Sequence, residues 1–429
     1  MDTKLLITLA VLAYMVVAFL LHKHPYGLTA ITCLSVLVLT GVIDIGTAFS
    51  GFSSTTTILI VTMMVLSGAL NKTSMVAKIR EKMSVIQGKN GIVLLALIFI
   101  FTAALTQMMG MTAVMSIMLL IITTLDDGQE LSHSRMIFLC AAVNAAWFGR
   151  IPIGMGTALP MQTNAMYQGL VEGHEEYLLG LFDLFKIGII PTICLTIYCL
   201  FAWRLIPKHE IDAGAFSGGP IREQEKISPF HEKMILGVFL AVLVSFFFSN
   251  SLGNLMYVIP VIGCLVLLYT KAISARDVGA VMGNDMIFMC AGVLGISSAM
   301  SSSGAGNFIG NSILSLLGGN PSSLKVIAVF AIATTVMTTF LSNYGTMAVM
   351  VPIACSTALA GGMNPKAVVL VVNCASCLAI AFPTGCAAAT IAYAVGNHNP
   401  VKMLKFTLPY IAIGLVSLII SASIFFPVY

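Results

Sequence analysis

Six residues of this chain nearly repeat 235 positions later: Gly110-Met111-Thr112-Ala113-Val114-Met115 and Gly345-Thr346-Met347-Ala348-Val349-Met350. Each copy lies inside an uncharged run of 35 residues, 91–125 and 326–360. One membrane crossing needs ~20 apolar residues, so each run is too long for one crossing and tight for two plus a turn. A hairpin that enters the bilayer, turns near its middle and leaves on the side of entry fits that length. Non-helical backbone at such depth survives only against protein or a water-filled cavity. Paired broken elements in two chain halves point to a transporter's binding site.

The rest of the composition agrees with a membrane protein. Of 429 residues, 58% are hydrophobic and only 9% charged, with a mean hydropathy of +1.00. A soluble domain carries ~25% charged residues. An outer-membrane barrel would show alternating segments of ~10 residues rather than long apolar runs. These features give an all-α, polytopic protein of the inner-membrane type. The run 5–21 lacks a basic leader and a small-residue cleavage site, so it reads as the first span. A net charge of +4 gives no reason to expect nucleic acid. The ten Cys suit neither zinc nor a disulfide framework. Cys374 and Cys377 form a CxxC in an apolar helix with no second pair, and read as packing residues.

Spans are expected at about 5–21, 27–43 and 53–70, a hairpin at 91–125, a broken span at 135–171 and a span at 181–203. A polar linker, 204–233, follows. The second half repeats the order: spans at 234–249, 252–270 and 283–301, a hairpin at 326–360, a broken span at 366–396 and a last span at 403–427. The units are thus 1–203 and 234–429, with ten spans in all. Lys and Arg crowd the segment 71–90 (Lys72, Lys78, Arg80, Lys82, Lys89), the linker (Arg204, Lys208, Arg222, Lys226, Lys233) and two short loops (Lys271, Arg276; Lys402, Lys405). Placing these inside puts both termini outside, in the periplasmic or extracellular space. The two hairpins then enter from opposite sides, which makes the halves inverted repeats.

Each broken span carries its own interruption. The first is Gly149-Arg150-Ile151-Pro152-Ile153-Gly154-Met155-Gly156-Thr157, the second Phe382-Pro383-Thr384-Gly385. Pro removes a backbone donor and Gly permits unwinding. Asn144 and Asn373, each in a Val-Asn-x-Ala context, precede the breaks by similar distances. An unwound segment offers carbonyls to cations and amides to anions. Ordinary kinks, which membrane helices tolerate, are the alternative. Two at matched positions, each after a hairpin, favour a site.

Several segments resemble the divalent anion/sodium symporter family of the ion transporter superfamily. These are Ala48-Phe49-Ser50-Gly51-Phe52-Ser53; 277–299 with Asn284-Asp285 and Gly292; Phe340-Leu341-Ser342-Asn343-Tyr344-Gly345; and Gly154-Met155-Gly156-Thr157 through Pro160. The resemblance implies a homodimer with scaffold and transport domains, an elevator motion and coupling to sodium or protons without a resident cofactor. It implies a dicarboxylate, citrate or sulfate as cargo. It places substrate among Ser342, Asn343, Gly345, Pro383, Thr384, Gly385 and Thr157, with Arg150 as the neutralising cation. A coupling ion would use Ser342, Asn343, Gly345, Asn373 and Asn144. The first tip departs from the family's Ser-Asn-Thr and reads Gln107-Met108-Met109, a degraded cation site flanked by Thr106 and Thr112. Thioether sulfur is a weak acceptor, and sodium prefers hard oxygens.

Arg150 is the intramembrane charge of greatest weight. Such charges are costly and mark function by default, and the guanidinium fork suits carboxylate or sulfate. Capping a half-helix or snorkelling is the other reading. Asp285 reads as an interfacial cap or part of a proton path. The seven His fall in loops or at span ends, where a solvated surface is the default. Hairpin tips and breaks lack Asp and Glu, which argues against a cation/proton antiporter. An arsenite- or sodium/proton-type member of the superfamily is the alternative within transport, and a non-transporting membrane protein the alternative outside it. No paired catalytic residues or phosphate-cradling motif suggest an enzyme.

Overall fold

The computed structural model describes residues 3–21, 23–70, 72–73, 91–123, 131–209, 211, 227–247, 255–319, 321–339, 341–383 and 385–426. Among them all regular structure is helical. The first half holds α1 (Thr3–Leu21), α2 (Tyr26–Leu39), α3 (Ile45–Phe49), α4 (Thr55–Leu70), α5 (Gly91–Met108), α6 (Met111–Thr123), α7 (His133–Trp147), α8 (Met155–Tyr167) and α9 (Asp183–Ala202). The second holds α10 (Pro229–Phe247), α11 (Leu255–Tyr269), α12 (Ala275–Met282), α13 (Asp285–Ser302), α14 (Ala305–Leu316), α15 (Ser323–Thr338), α16 (Asn343–Ala360), α17 (Pro365–Ser376), α18 (Ala387–Val395) and α19 (Pro400–Phe425). Most of the basic segment 71–90, most of the linker, and Thr384 lie outside the described residues.

Local chemistry starts several helices. Ser274 and Asp277 form a capping box on α12. Asn364 and Asn399 cap α17 and α19, each followed by Pro at the first helical position. Lys72 Nζ lies 2.7 Å from Asp277 Oδ2. Partial burial opposes ionisation of Asp277, but the bonds from Lys72 and Ser274 win and hold its carboxyl at about 2.

The packing partners match between halves. α1 lies on α2 as α10 lies on α11, while α2 meets α13 and α4 meets α11. Both arms of the first hairpin, α5 and α6, pack on α7; both arms of the second, α15 and α16, pack on α17. α7 meets α9 as α17 meets α19, and α9 packs on α19 across the halves. Close backbone approach of α13 to the 45–53 turn explains two glycines in the resembling segments. A Cβ at Gly51 would strike the Ala291 carbonyl, and one at Gly295 the Ala48 carbonyl.

Two expectations need correction. The stretch 302–325, left between elements, contains α14, whose Gly306 and Gly310 lie against Ser356 of α16. The expected spans are matched in part. Among the described residues, Gly91–Met108, Asp183–Leu205 and Pro400–Phe425 are long and apolar enough to cross a membrane, with a fourth if α12 and α13 form one bent span. Other apolar helices are shorter, because breaks and short turns interrupt them. His398 is not solvated: it is 6% exposed and stands edge-on to Phe138, with ring centroids 5.5 Å apart.

Two predictions follow from these contacts. Burial disfavours the His398 imidazolium and, despite the bond at 3.1 Å to the Ser134 carbonyl and aided by nearby His209, pushes its pKa down to about 4. An unfolded histidine takes up its proton near 6.5, so folding excludes a proton and stability declines as pH falls from ~6.5 to ~4, by about 3 kcal/mol in all. Thermal unfolding across that range is expected to show this acid limb, and His398→Gln to flatten it. Asp285 caps a helix other than its own: its carboxylate accepts from the Tyr26 and Gly27 amides at 2.9 and 2.8 Å, at the start of α2. Asp285→Ala is expected to cost about 1–3 kcal/mol in unfolding free energy, and Asp285→Asn less.

Candidate functional site

Each hairpin tip presents an amide side chain that braces the break in the following helix. In the first half, Gln107 Nε2 donates to the Trp147 carbonyl at 2.8 Å, and its Oε1 accepts from the Ile151 amide at 2.9 Å. These are the last residue of α7 and a residue inside the α7–α8 break. In the second half, Asn343 does the same for the α17–α18 break. In the orientation that satisfies both of its ends, Nδ2 donates to the Ser376 and Gly385 carbonyls, 3.0 Å each. Trp147 and Ser376 are matched positions of the two broken helices, each three residues beyond its Val-Asn-x-Ala asparagine. The Gln107 tip therefore keeps a structural duty, although it lost the Ser-Asn-Thr pattern.

The tips and breaks meet. The far end of the Asn343 amide lies 3.9 Å from Met111 Sδ and 4.0 Å from Cys377 Sγ. A Cβ on Gly154 would stand 2.6 Å from the Gln107 carbonyl oxygen, and Gly154 holds φ +58°. A Cβ on Gly385 would strike the Ala379 carbonyl. α18 packs on α6 and α16 on α8, so each half-helix reaches the opposite hairpin. The N-terminal ends of α6, α8, α16 and α18 thereby converge. Helix N-termini carry partial positive charge and unpaired amides.

Arg150 lies just behind this meeting point and is 4% exposed. Nε donates to the Ala146 carbonyl at 3.3 Å, capping α7, and one terminal nitrogen lies 3.1 Å from Cys374 Sγ. Its surroundings are Pro191, Thr192 and Leu195 of α9 and Gly414 and Leu418 of α19, around a cavity of about 10 Å³, room for about one water. Among the described residues no carboxylate pairs with it. Cys374 and Cys377 are thus more than packing residues: both touch the guanidinium, and Cys377 also meets the Asn343 tip.

The remaining expected residues divide. Ser342 accepts from the Gly345 amide at 3.1 Å and so starts α16. Tyr26 of α2 packs against Gly345 and bonds Ser342. Asn144 ties the first hairpin together, donating to the Met111 carbonyl at 2.9 Å and accepting from Thr106 at 3.0 Å. Thr157 spends its hydroxyl on the Gly154 carbonyl at 2.7 Å. Thr112 is exposed, and the Pro383 carbonyl accepts from Thr390. Asn373 faces α8, donating to Thr163 at 2.7 Å. Gln107, Cys377 and Tyr26 were absent from the expected set. An amide at the turn of each uncharged hairpin was the available signal for Gln107.

A cavity of about 920 Å³ lies elsewhere, among Thr47, Ser50, Ser54, Gln168 and Ser298. Glu172 and Glu175 also line it and, among the described residues, no Lys or Arg does, so its walls repel an anion.

Comparison with known proteins places this geometry. The family model described as Citrate transporter (CitMHS) matches residues 16–375 and 255–428. An uncharacterized transporter of Haemophilus influenzae is 23% identical over 409 residues, 92% of this chain and 87% of that protein. Human solute carrier family 13 member 4 is 28% identical over 149 residues, 35% of this chain, and the match spans only 24% of that relative's length. The structure of Neisseria gonorrhoeae MtrF, described as illuminating a class of antimetabolite efflux pumps, superposes with a TM-score of 0.56 at 12% identity, covering 99% of this chain and 95% of that one. That likeness shows the shared fold. A match over most of the chain, on an all-helical fold whose breaks and hairpin tips converge, shows that this protein belongs to the CitMHS citrate transporter family, integral membrane permeases of the ion transporter superfamily rather than enzymes.

Proposed function

We propose that the chain is a secondary active transporter of a small anion of the dicarboxylate, citrate or sulfate class. The anion sits where the N-terminal ends of α6, α8, α16 and α18 meet, with Arg150 as its fixed counter-charge. The observation that carries this reading is Arg150 itself: a buried guanidinium whose side-chain partners are the Ala146 carbonyl and the thiols of Cys374 and Cys377. Sulfur is a weak acceptor, so the cation is under-compensated until an anion arrives. The convergent helix ends add positive potential of the same sign.

Sequence 1–203 and 234–429 act as inverted repeats in this reading, with both termini outside, two re-entrant hairpins and about ten crossings. The matched packing partners and the paired tip amides support it. Transport proceeds by an elevator motion in a homodimer, coupled to sodium or protons. The Tyr26 contact with Ser342 and Gly345 joins α2 to the second hairpin, and must break when that hairpin moves.

Uptake of labelled succinate, citrate and sulfate into proteoliposomes, with and without an inward sodium gradient and then with a pH gradient, tests the proposal. Ion-driven accumulation of one anion is the expected result. No accumulation and no counterflow of any of the three would refute the anion class.

A further inference from the structure

Two buried thiols meet at one guanidinium. Cys374 lies in the last turn of α17 and Cys377 is its C-cap, still in helical conformation, so the pair shares one face of the helix. One terminal nitrogen of Arg150 lies 3.1 Å from Cys374 Sγ, and the Cys377 thiol bonds the same guanidinium. Cys377 Sγ also turns back to within 3.8 Å of the Asn373 carbonyl, toward the turn that carries Cys374. Both thiols line the same void of about 10 Å³. One guanidinium and one cavity therefore bring the two sulfurs together.

The rest of the wall decides what such a pair can hold. It is apolar, with Pro191, Leu195, Leu378 and Leu418. The Thr192 hydroxyl is spent on the Ala146 carbonyl at 3.0 Å, and that carbonyl also accepts from Arg150. Among the described residues no carboxylate lines the void. A hard cation, which needs several oxygens, finds none to spare. Thiolate sulfur instead selects soft ions such as copper(I). Charge then selects the valence. Two thiols that bind a metal give up two protons. With a monovalent ion the product carries one net negative charge, which the guanidinium balances. With a divalent ion the product is neutral, and the buried arginine stays uncompensated.

We propose that Cys374 Sγ and Cys377 Sγ bind a soft monovalent metal ion of the copper(I) class, as a bis-thiolate whose single negative charge Arg150 balances. The void between them has room for about one water, and so for one bare ion. The bound complex takes up the positive charge that an anionic cargo needs, and it draws Cys377 away from the Asn343 tip. Copper loading therefore blocks the anion. That consequence rests on the anion reading of Arg150, whereas the metal site does not.

The test uses the purified full-length protein under anaerobic ascorbate, with copper(I) supplied as its bicinchoninate complex and no transported anion present. The protein is expected to withdraw a single copper from the chelator, and X-ray absorption at the copper edge to show two sulfur neighbours. Cys374→Ala and Cys377→Ala should each weaken binding by about a hundredfold or more. Arg150→Gln, which keeps both thiols and removes the balancing charge, should weaken it by about tenfold. Cys374→Met keeps a sulfur without the thiolate and should fall between the parent and Cys374→Ala, and thermal unfolding of each copper-free variant guards against a folding defect. No withdrawal of copper by the parent, or withdrawal unchanged in both alanine variants, overturns the site and leaves a buried water as the occupant. Anion counterflow in the same preparation decides the transport reading separately. Counterflow lost on copper loading and restored by a cuprous chelator upholds both. Copper bound through both thiols, with counterflow unaffected, upholds the site and removes Arg150 as counter-charge.

Discussion

Replacing Asn343 by alanine is expected to reduce anion uptake by as much as about a hundredfold while the protein still inserts and folds. The carbonyls of Ser376 and Gly385 both accept from this one amide. Removing it leaves the Gly385 carbonyl without this donor and the Ser376 carbonyl with the Thr338 hydroxyl alone, at 2.9 Å, at a combined cost of about 1–3 kcal/mol. At the upper end, a loss of ~3 kcal/mol in the population of the braced break corresponds to roughly a hundredfold. Initial uptake rates at saturating and sub-saturating substrate, normalised to the amount of folded protein, would measure it. Gln107→Ala should act in the same direction at the other break, since Trp147 and Ile151 lose the same kind of partner. Near-parental uptake by both variants would show that the braces are dispensable.

Arg150→Met carries the second large effect, with opposite signs for stability and transport. A lone buried cation costs desolvation energy that a carbonyl and two thiols repay poorly, and replacing such a charge by an apolar side chain of similar volume is often neutral or stabilising by about 1–4 kcal/mol. The methionine variant is therefore expected to unfold at an equal or higher temperature than the parent, and to accumulate no anion. Arg150→Lys, which keeps the charge but loses the fork, should retain part of the uptake. A methionine variant that transports normally would strip Arg150 of its role as counter-charge. One that fails to fold would show that the cap on α7, through the Ala146 carbonyl, is what the protein needs from it.

Much of the architecture was legible from residue order. Long uncharged runs dictate membrane helices, because no other structure satisfies the backbone in lipid. Gly110, with Pro152 and Pro383, announced where helices must stop, since Pro lacks the donor that a helix requires. These local rules placed the α5–α6 and α15–α16 turns and both broken helices to within a few residues. They missed α14, because Gly304, Gly306 and Gly310 read as loop when taken one by one. In the fold the last two are the small surfaces that let α14 lie against α16.

The partners of the polar residues were not legible, for a physical reason: a hydrogen bond depends on three-dimensional proximity, which side-chain type does not encode. Asp285 read as an interfacial cap or part of a proton path, and only the approach of α13 to α2 gave it the Tyr26 and Gly27 amides, more than 250 positions away. Gln107 looked like a loss of function at the first tip. The meeting of that tip with the α7–α8 break made it the counterpart of Asn343. His398 looked solvated until the helices around Phe138 enclosed it. Residue order alone, then, settled that the chain is apolar and helical and where its helices break, because periodicity, hydropathy and backbone chemistry act locally. The tertiary packing decided which partners the buried polar groups find, because those partners come from helices far apart in the chain.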